Sequence, residues 1–193
     1  MNIHSSRKSA AGTACLFHIY GPYRLIFLRC GDISPAGGGP MTKVTYITPE
    51  FAVSPALSPD DFARIAAMGF RSVISNLPDG ESQSHPTSCE AAALASRFGL
   101  EYRHIPAVKF DIFNDSVVER VDDALRELPG PILAHCLSGL RSAIAWAAVA
   151  ARRQPADNVL ARLSAVGLNL ETVRDELHAQ NARGQSASLS AVA

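Results

Sequence analysis

One short segment carries the residues best suited to chemistry: His135-Cys136-Leu137-Ser138-Gly139-Leu140-Arg141-Ser142. A cysteine between an apolar strand and an apolar helix faces the unpaired amides of the turn and of the helix start. That field lowers a thiol pKa from about 8.5 toward 7 or below, so Cys136 is expected to act as a thiolate. Gly139 lets the loop curl until successive amides converge on one oxyanion, and Arg141 offers a planar fork for two anion oxygens. The loop residues Leu137, Ser138, Gly139 and Leu140, with Ser142, are read as substrate-binding, and Ser142 as a hydrogen-bond donor to the thiolate. His135 is expected to orient the loop, since a thiolate needs no base. An inert core cysteine would leave a glycine, two serines and an arginine where packing favours apolar residues.

The elements that must position this loop follow from periodicity. Val44 to Val53 alternates as a strand, Arg71 to Asn76 reads as a buried strand and Leu100 to Val108 as a third. Pro131 to His135 is short and unbroken, as a central strand covered on both faces must be. Ser58-Pro59-Asp60-Asp61, Thr87-Ser88-Cys89-Glu90 and Ser116-Val117-Val118-Glu119 are helix starts of capping-box type, with Gly69, Gly99 and Pro129-Gly130 as stops. The third helix places Val117, Val121, Ala124, Leu125 and Leu128 on one face. Ser142 to Arg152, Ala156 to Ala165 and Asn169 to Ala182 complete the set. The alternation implies a three-layer α/β domain: a mostly parallel central sheet flanked by helices.

Composition bounds the function. With 193 residues, 47% of them hydrophobic, and 18 basic against 18 acidic residues, the chain suits one core and lacks the basic footprint of nucleic-acid binding. Cysteines 15, 30, 89 and 136 share no metal-ligand spacing and form no CxxC, so no metal or cofactor is assigned, and a reducing, cytoplasmic setting is expected. His85 and His104 have no partner at ligand spacing. Cys89 is read as core, and Trp146 as packing rather than substrate contact.

The apolar stretch from Ala14 to Leu28 is broken by Gly21, Pro22 and Arg24 and is too short to span a bilayer, so no membrane partner is expected. Residues 1–41 are read as a disordered or spurious leader, 42–183 as the domain and 184–193 as a flexible tail. Oligomeric state is not legible.

His-Cys-x-x-Gly-x-Arg-Ser resembles the signature loop of cysteine-based phosphatases. Those usually place five residues between Cys and Arg, whereas this chain has four, a spacing similar to that of rhodanese sulfurtransferases. Ile47 to Pro55, Gly69 to Asn76, Pro78-Asp79-Gly80-Glu81, Tyr102 to Pro106 and Pro131 to Ser142 together resemble the phosphatase-like domain of beta-lactamase-hydrolase-like proteins. The resemblance implies a dual-specificity-phosphatase-like fold, although some members of the family are labelled sulfurtransferases. Leu77 stands where the family often has Arg, and Leu137 replaces a common polar or basic residue, so the pocket rim is less cationic.

The reaction expected is phosphate-ester hydrolysis through a cysteinyl-phosphate. Asp111 is the candidate general acid; Asp79 and Glu81 are weaker alternatives explained by a turn. The alternatives are sulfur transfer through a Cys136 persulfide and an inactive module that binds a phospho-ligand. The partner is then a small phosphorylated or sulfane-sulfur substrate.

Overall fold

The computed structural model describes residues 42–108 and 111–190, with the side chains of 188–190 excepted; the leader assigned to residues 1–41 lies outside them. Five strands, β1 (Thr45–Thr48), β2 (Phe51–Ser54), β3 (Ser72–Ser75), β4 (Glu101–His104) and β5 (Ile132–His135), form one sheet in the order β1-β2-β5-β3-β4. The helices are α1 (Pro59–Ala67), α2 (Ser88–Arg97), α3 (Asp115–Glu127), α4 (Leu140–Ala151), α5 (Ala156–Ala165) and α6 (Arg174–Ser190), with a 3-10 turn at Glu171–Val173.

β5 is the centre of the sheet, parallel to β2 on one side and β3 on the other, and all four of its residues are buried. Its alternation divides the core. Ile132 and Ala134 pack with α3, α4, α5 and α6, whereas Leu133 joins Val73, Ala52 and the apolar faces of α1 and α2. The result is the expected three-layer α/β architecture. The three inner parallel strands, β2, β5 and β3, are buried because helices cover both faces, whereas β4 at the sheet edge is partly exposed; the expected role of Trp146 as packing holds, its ring stacking on Phe51.

Four local readings need correction. Val44 to Val53 is not one strand. Pro49 cannot donate a ladder hydrogen bond, and the chain turns there, pairing β1 with β2 antiparallel. The third strand ends at His104 rather than Val108. α3 starts at Asp115 rather than from a Ser116 cap: the Asn114 carbonyl accepts from Val117 (2.9 Å) and Val118 (3.0 Å), so Ser116 already lies inside the first turn. Cys89 is exposed, because α2 turns Ala91 and Ala95 to the core instead.

The last helix continues to Ser190, past Gly184 where a frayed tail was read. Its polar residues dock on the end of α4. Asn181 donates to the carbonyls of Ala151 (2.8 Å) and Gln154 (3.0 Å), and Gln180 bridges Arg152 and the Phe113 carbonyl.

Two buried polar groups affect stability. Asp61 accepts from the Ser58 amide (2.8 Å), the Ser58 hydroxyl (2.7 Å) and the Thr42 hydroxyl (2.8 Å). Burial disfavours its charge, but these bonds hold its carboxyl below the usual range. His135 is buried at the end of β5, and neither ring nitrogen has a hydrogen-bond partner. Burial, with the nearby His85 and His104, pushes its pKa down to about 3, so the ring is neutral in the native state.

Asp61→Ala is expected to lower stability by about 1–2 kcal/mol, read from urea unfolding, because it removes a helix-start acceptor and leaves partly buried donors unpaired. For His135 the sign follows from its depressed folded pKa. Above about pH 6.5 both states are neutral; below it only the unfolded chain takes up the proton. Stability should therefore fall by about 1.4 kcal/mol per pH unit from about 6.5 downward. Urea midpoints at pH 7 and pH 5 should show this slope, and His135→Asn should flatten it.

Candidate active site

Where β5 ends, the chain turns at once into α4, and the turn is tight. Gly139 lies in the left-handed region, φ 89°, and a Cβ there would stand 3.1 Å from the carbonyl carbon and oxygen of Ser54. Only glycine fits both the angle and the space. The Ala56 amide donates to the Leu137 carbonyl (3.3 Å), tying the loop to the connection after β2.

This curl aims the loop at Cys136. Its side chain is fully buried, and the Gly139 amide donates to Sγ at 3.1 Å. α4 begins at Leu140 with no acidic residue in its first turn, and the first amide to return to a helix carbonyl is that of Ala143, bonded to Gly139. The amides at this end of α4 present a partial positive charge to the loop. Leu137, Ser138 and Leu140 are exposed around it.

Arg141 reaches back across the same ground. Its guanidinium pairs with both oxygens of Glu81, Nη1 to Oε2 at 2.9 Å and Nη2 to Oε1, while Nη1 also donates to the Ala107 carbonyl at 2.9 Å. Burial disfavours its charge, yet the Glu81 carboxylate and the nearby Cys136 sulfur outweigh that and raise its pKa above the ordinary arginine value. Three separated segments thus meet at one guanidinium: the loop after β3, the connection after β4 and the start of α4.

The Glu81 loop is itself anchored. The Glu81 amide donates to Pro78 (3.3 Å) across a turn whose Gly80 has φ 82°. Asp79 accepts from the Ser88 amide (2.7 Å) and hydroxyl (2.6 Å), which hold its carboxyl below the usual range. The turn expected at Pro78–Glu81 is therefore present. Both of its acids are engaged, Asp79 in securing the start of α2 and Glu81 in gripping Arg141. That grip was not anticipated; the signal for it was a turn delivering a carboxylate in a chain region without a cationic partner of its own.

Two expected roles are not seen. The Ser142 hydroxyl is buried without a hydrogen-bond partner, so its bond to Cys136 is not made; the sulfur takes the Gly139 amide instead. The His135 ring makes no orienting hydrogen bond. Its carbonyl does the work, accepting from the Asn76 amide at 2.8 Å. Asp111 lies exposed on the connection between β4 and α3, accepting from the Asn114 side chain at 3.2 Å. Among the described residues, no group of three or more His, Cys, Asp or Glu is placed to hold a metal, and no helix is long and apolar enough to cross a membrane.

Known proteins share this fold. A beta-lactamase hydrolase-like protein from Xylella fastidiosa strain Temecula1 is 32% identical over 105 residues, 54% of this chain and 24% of that protein; the matched segment is thus about a quarter of the relative's length. A crystal structure of a proposed phosphatase from Neisseria meningitidis Z2491 is 28% identical with a TM-score of 0.63, covering 70% of this chain and 96% of that one. Kinase associated phosphatase, in a structure with its catalytic-site cysteine substituted by serine, is 15% identical with a TM-score of 0.53, covering 72% and 93%, and shares the fold. Residues 43–153 match the model of the phosphatase-like domain of beta-lactamase hydrolase-like proteins, and the chain belongs to that family.

Proposed function

We propose that this domain is a cysteine-dependent phosphatase acting through Cys136. The observation that carries the reading is the Gly139 amide on the Cys136 sulfur at 3.1 Å, with Arg141 beside it at the start of α4. Donors preorganised around a sulfur stabilise negative charge there and on the oxygens of a phosphoryl group it attacks.

In the first step the Cys136 sulfur attacks phosphorus, and the bond from phosphorus to the ester oxygen breaks. The departing oxygen takes a proton from Asp111, leaving a cysteinyl-phosphate. Water then attacks the phosphorus and gives its proton to the Asp111 carboxylate. The phosphorus–sulfur bond breaks, returning the thiolate and releasing phosphate. Loop amides and the Arg141 fork hold the equatorial oxygens in both steps. Glu81 keeps that fork in register, and substrate oxygens would share the guanidinium with it. The phosphatase neighbours support this chemistry over sulfur transfer, for which no comparison offers support.

Mass spectrometry after parallel exposure to an aryl phosphate and to thiosulfate separates the readings. Phosphate release or a phosphate adduct that Cys136→Ser abolishes is expected; a Cys136 persulfide without phosphate turnover would replace hydrolysis by sulfur transfer, and neither product would leave a binding module. Asp111→Asn should then lower kcat by about 10²–10⁴ for alkyl esters. The loss should shrink for aryl esters, whose leaving groups need less protonation.

Glu81→Gln removes one charge from the grip on Arg141 while keeping its shape. A fall in kcat of about ten- to a hundredfold, with little change in KM, is expected from a misaligned fork. Unchanged steady-state kinetics would remove Glu81 from the mechanism.

A further inference from the structure

The mouth of the Cys136 loop is apolar where a phosphate site would ordinarily be ringed by cations. Among the described residues five large hydrophobic side chains are conspicuously exposed: Tyr46, Met68, Val108, Leu137 and Leu140. Three of the five belong to segments that meet at this one site. Leu137 (47% exposed) and Leu140 (45%) belong to the loop itself. Val108 (46%) follows Ala107, whose carbonyl accepts from Arg141. Tyr46 is accounted for by its stacking on Phe70. Exposed apolar side chains gathered around a polar centre mark a surface that meets a ligand.

The charges point the same way. The described segments around the site, residues 54–58, 77–88, 104–108, 111–114 and 135–142, carry one Lys or Arg, Arg141, against Asp79, Glu81 and Asp111; Arg120 of α3 reaches them only at the His104 carbonyl (3.0 Å), and Lys109 lies outside the described residues. Arg141 already shares its fork with Glu81. A single phosphate can be held by amides and the remaining capacity of that guanidinium. A second phosphate on the same molecule would meet carboxylates.

Resting on the phosphatase reading, we infer that the substrates are phosphate monoesters of an apolar alcohol, and that Leu137, Leu140 and Val108 form the face that selects them. Their side chains cover the hydrocarbon of the ester while the loop below takes its one phosphoryl group. Polyphosphorylated sugars and inositols are disfavoured because Glu81 already occupies the Arg141 fork.

The test separates recognition from reaction. Calorimetric titration of the Cys136→Ser protein with hexylphosphonate and with methylphosphonate should show the hexyl compound binding at least about tenfold tighter, as burial of a few methylenes predicts. Leu137→Ser with Leu140→Ser, and separately Val108→Ser, should each pull that ratio toward one. A ratio is read, so a general weakening of the loop does not imitate the result.

With the native chain, kcat/KM for hexyl phosphate should exceed that for glycerol 1-phosphate, another primary alkyl ester, by at least about tenfold, with fructose 1,6-bisphosphate lower still. Equal affinity for the two phosphonates, or preference for the bisphosphate, overturns the apolar selection. Turnover of none of the esters, with the phosphonate preference intact, overturns the hydrolase reaction and leaves the apolar face standing.

Discussion

Everything in this site depends on how sharply β5 gives way to α4. The strand is the middle of a parallel sheet, so it cannot leave by drifting sideways; its neighbours β2 and β3 are hydrogen-bonded along its whole length. The chain must rise over the end of the sheet and enter a helix within a few residues, with the Ser54–Pro55 backbone directly against it. Gly139 absorbs that demand in a left-handed conformation. The same turn that solves a packing problem points an amide at the Cys136 sulfur, so fold and site share one constraint.

Arg141 is the second junction. It is half-buried, which disfavours its charge, and it is kept charged by Glu81 and the neighbouring sulfur, with the Ala107 carbonyl as a further acceptor. A buried guanidinium with too few acceptors would be costly. Here three chain segments each contribute, and the cost of burying the cation becomes a means of holding those segments together. The arrangement also limits what the site can accept. A guanidinium already shared with a carboxylate suits one modest anion better than a dense cluster of them, and the apolar rim of Leu137, Leu140 and Val108 accords with that limit.

Much of the fold was legible because it rests on local signals. The unbroken apolar run before Cys136 marked a central strand, and Thr87 with Glu90 and Ser58 with Asp61 marked two helix starts that the structure shares. Readings failed where a residue had two plausible local roles. Pro49 sits within an alternating stretch, and the periodicity outweighed its missing amide. Ser116 with Glu119 matched a capping box, but Asn114 came first and its carbonyl was already committed to the helix. Cys89 lay beside alanines, yet side-chain direction around a helix depends on which stripe the sheet accepts, here Ala91 and Ala95.

The order of residues from His135 to Ser142 by itself determined that a cysteine, a turning glycine and an arginine would lie together, since a loop between a strand and a helix keeps near neighbours near. Only the tertiary structure decided what else joins them. Glu81 and Ala107 are 60 and 34 residues away from Arg141 in sequence, and no local pattern encodes which distant loop end reaches a given guanidinium. The same holds for Ser142, whose hydroxyl is left unpartnered, and for His135, whose ring is sealed in the core. Hydrogen-bond partners between segments follow from how the sheet orders its strands, and that order is set by packing on both faces rather than by any short motif.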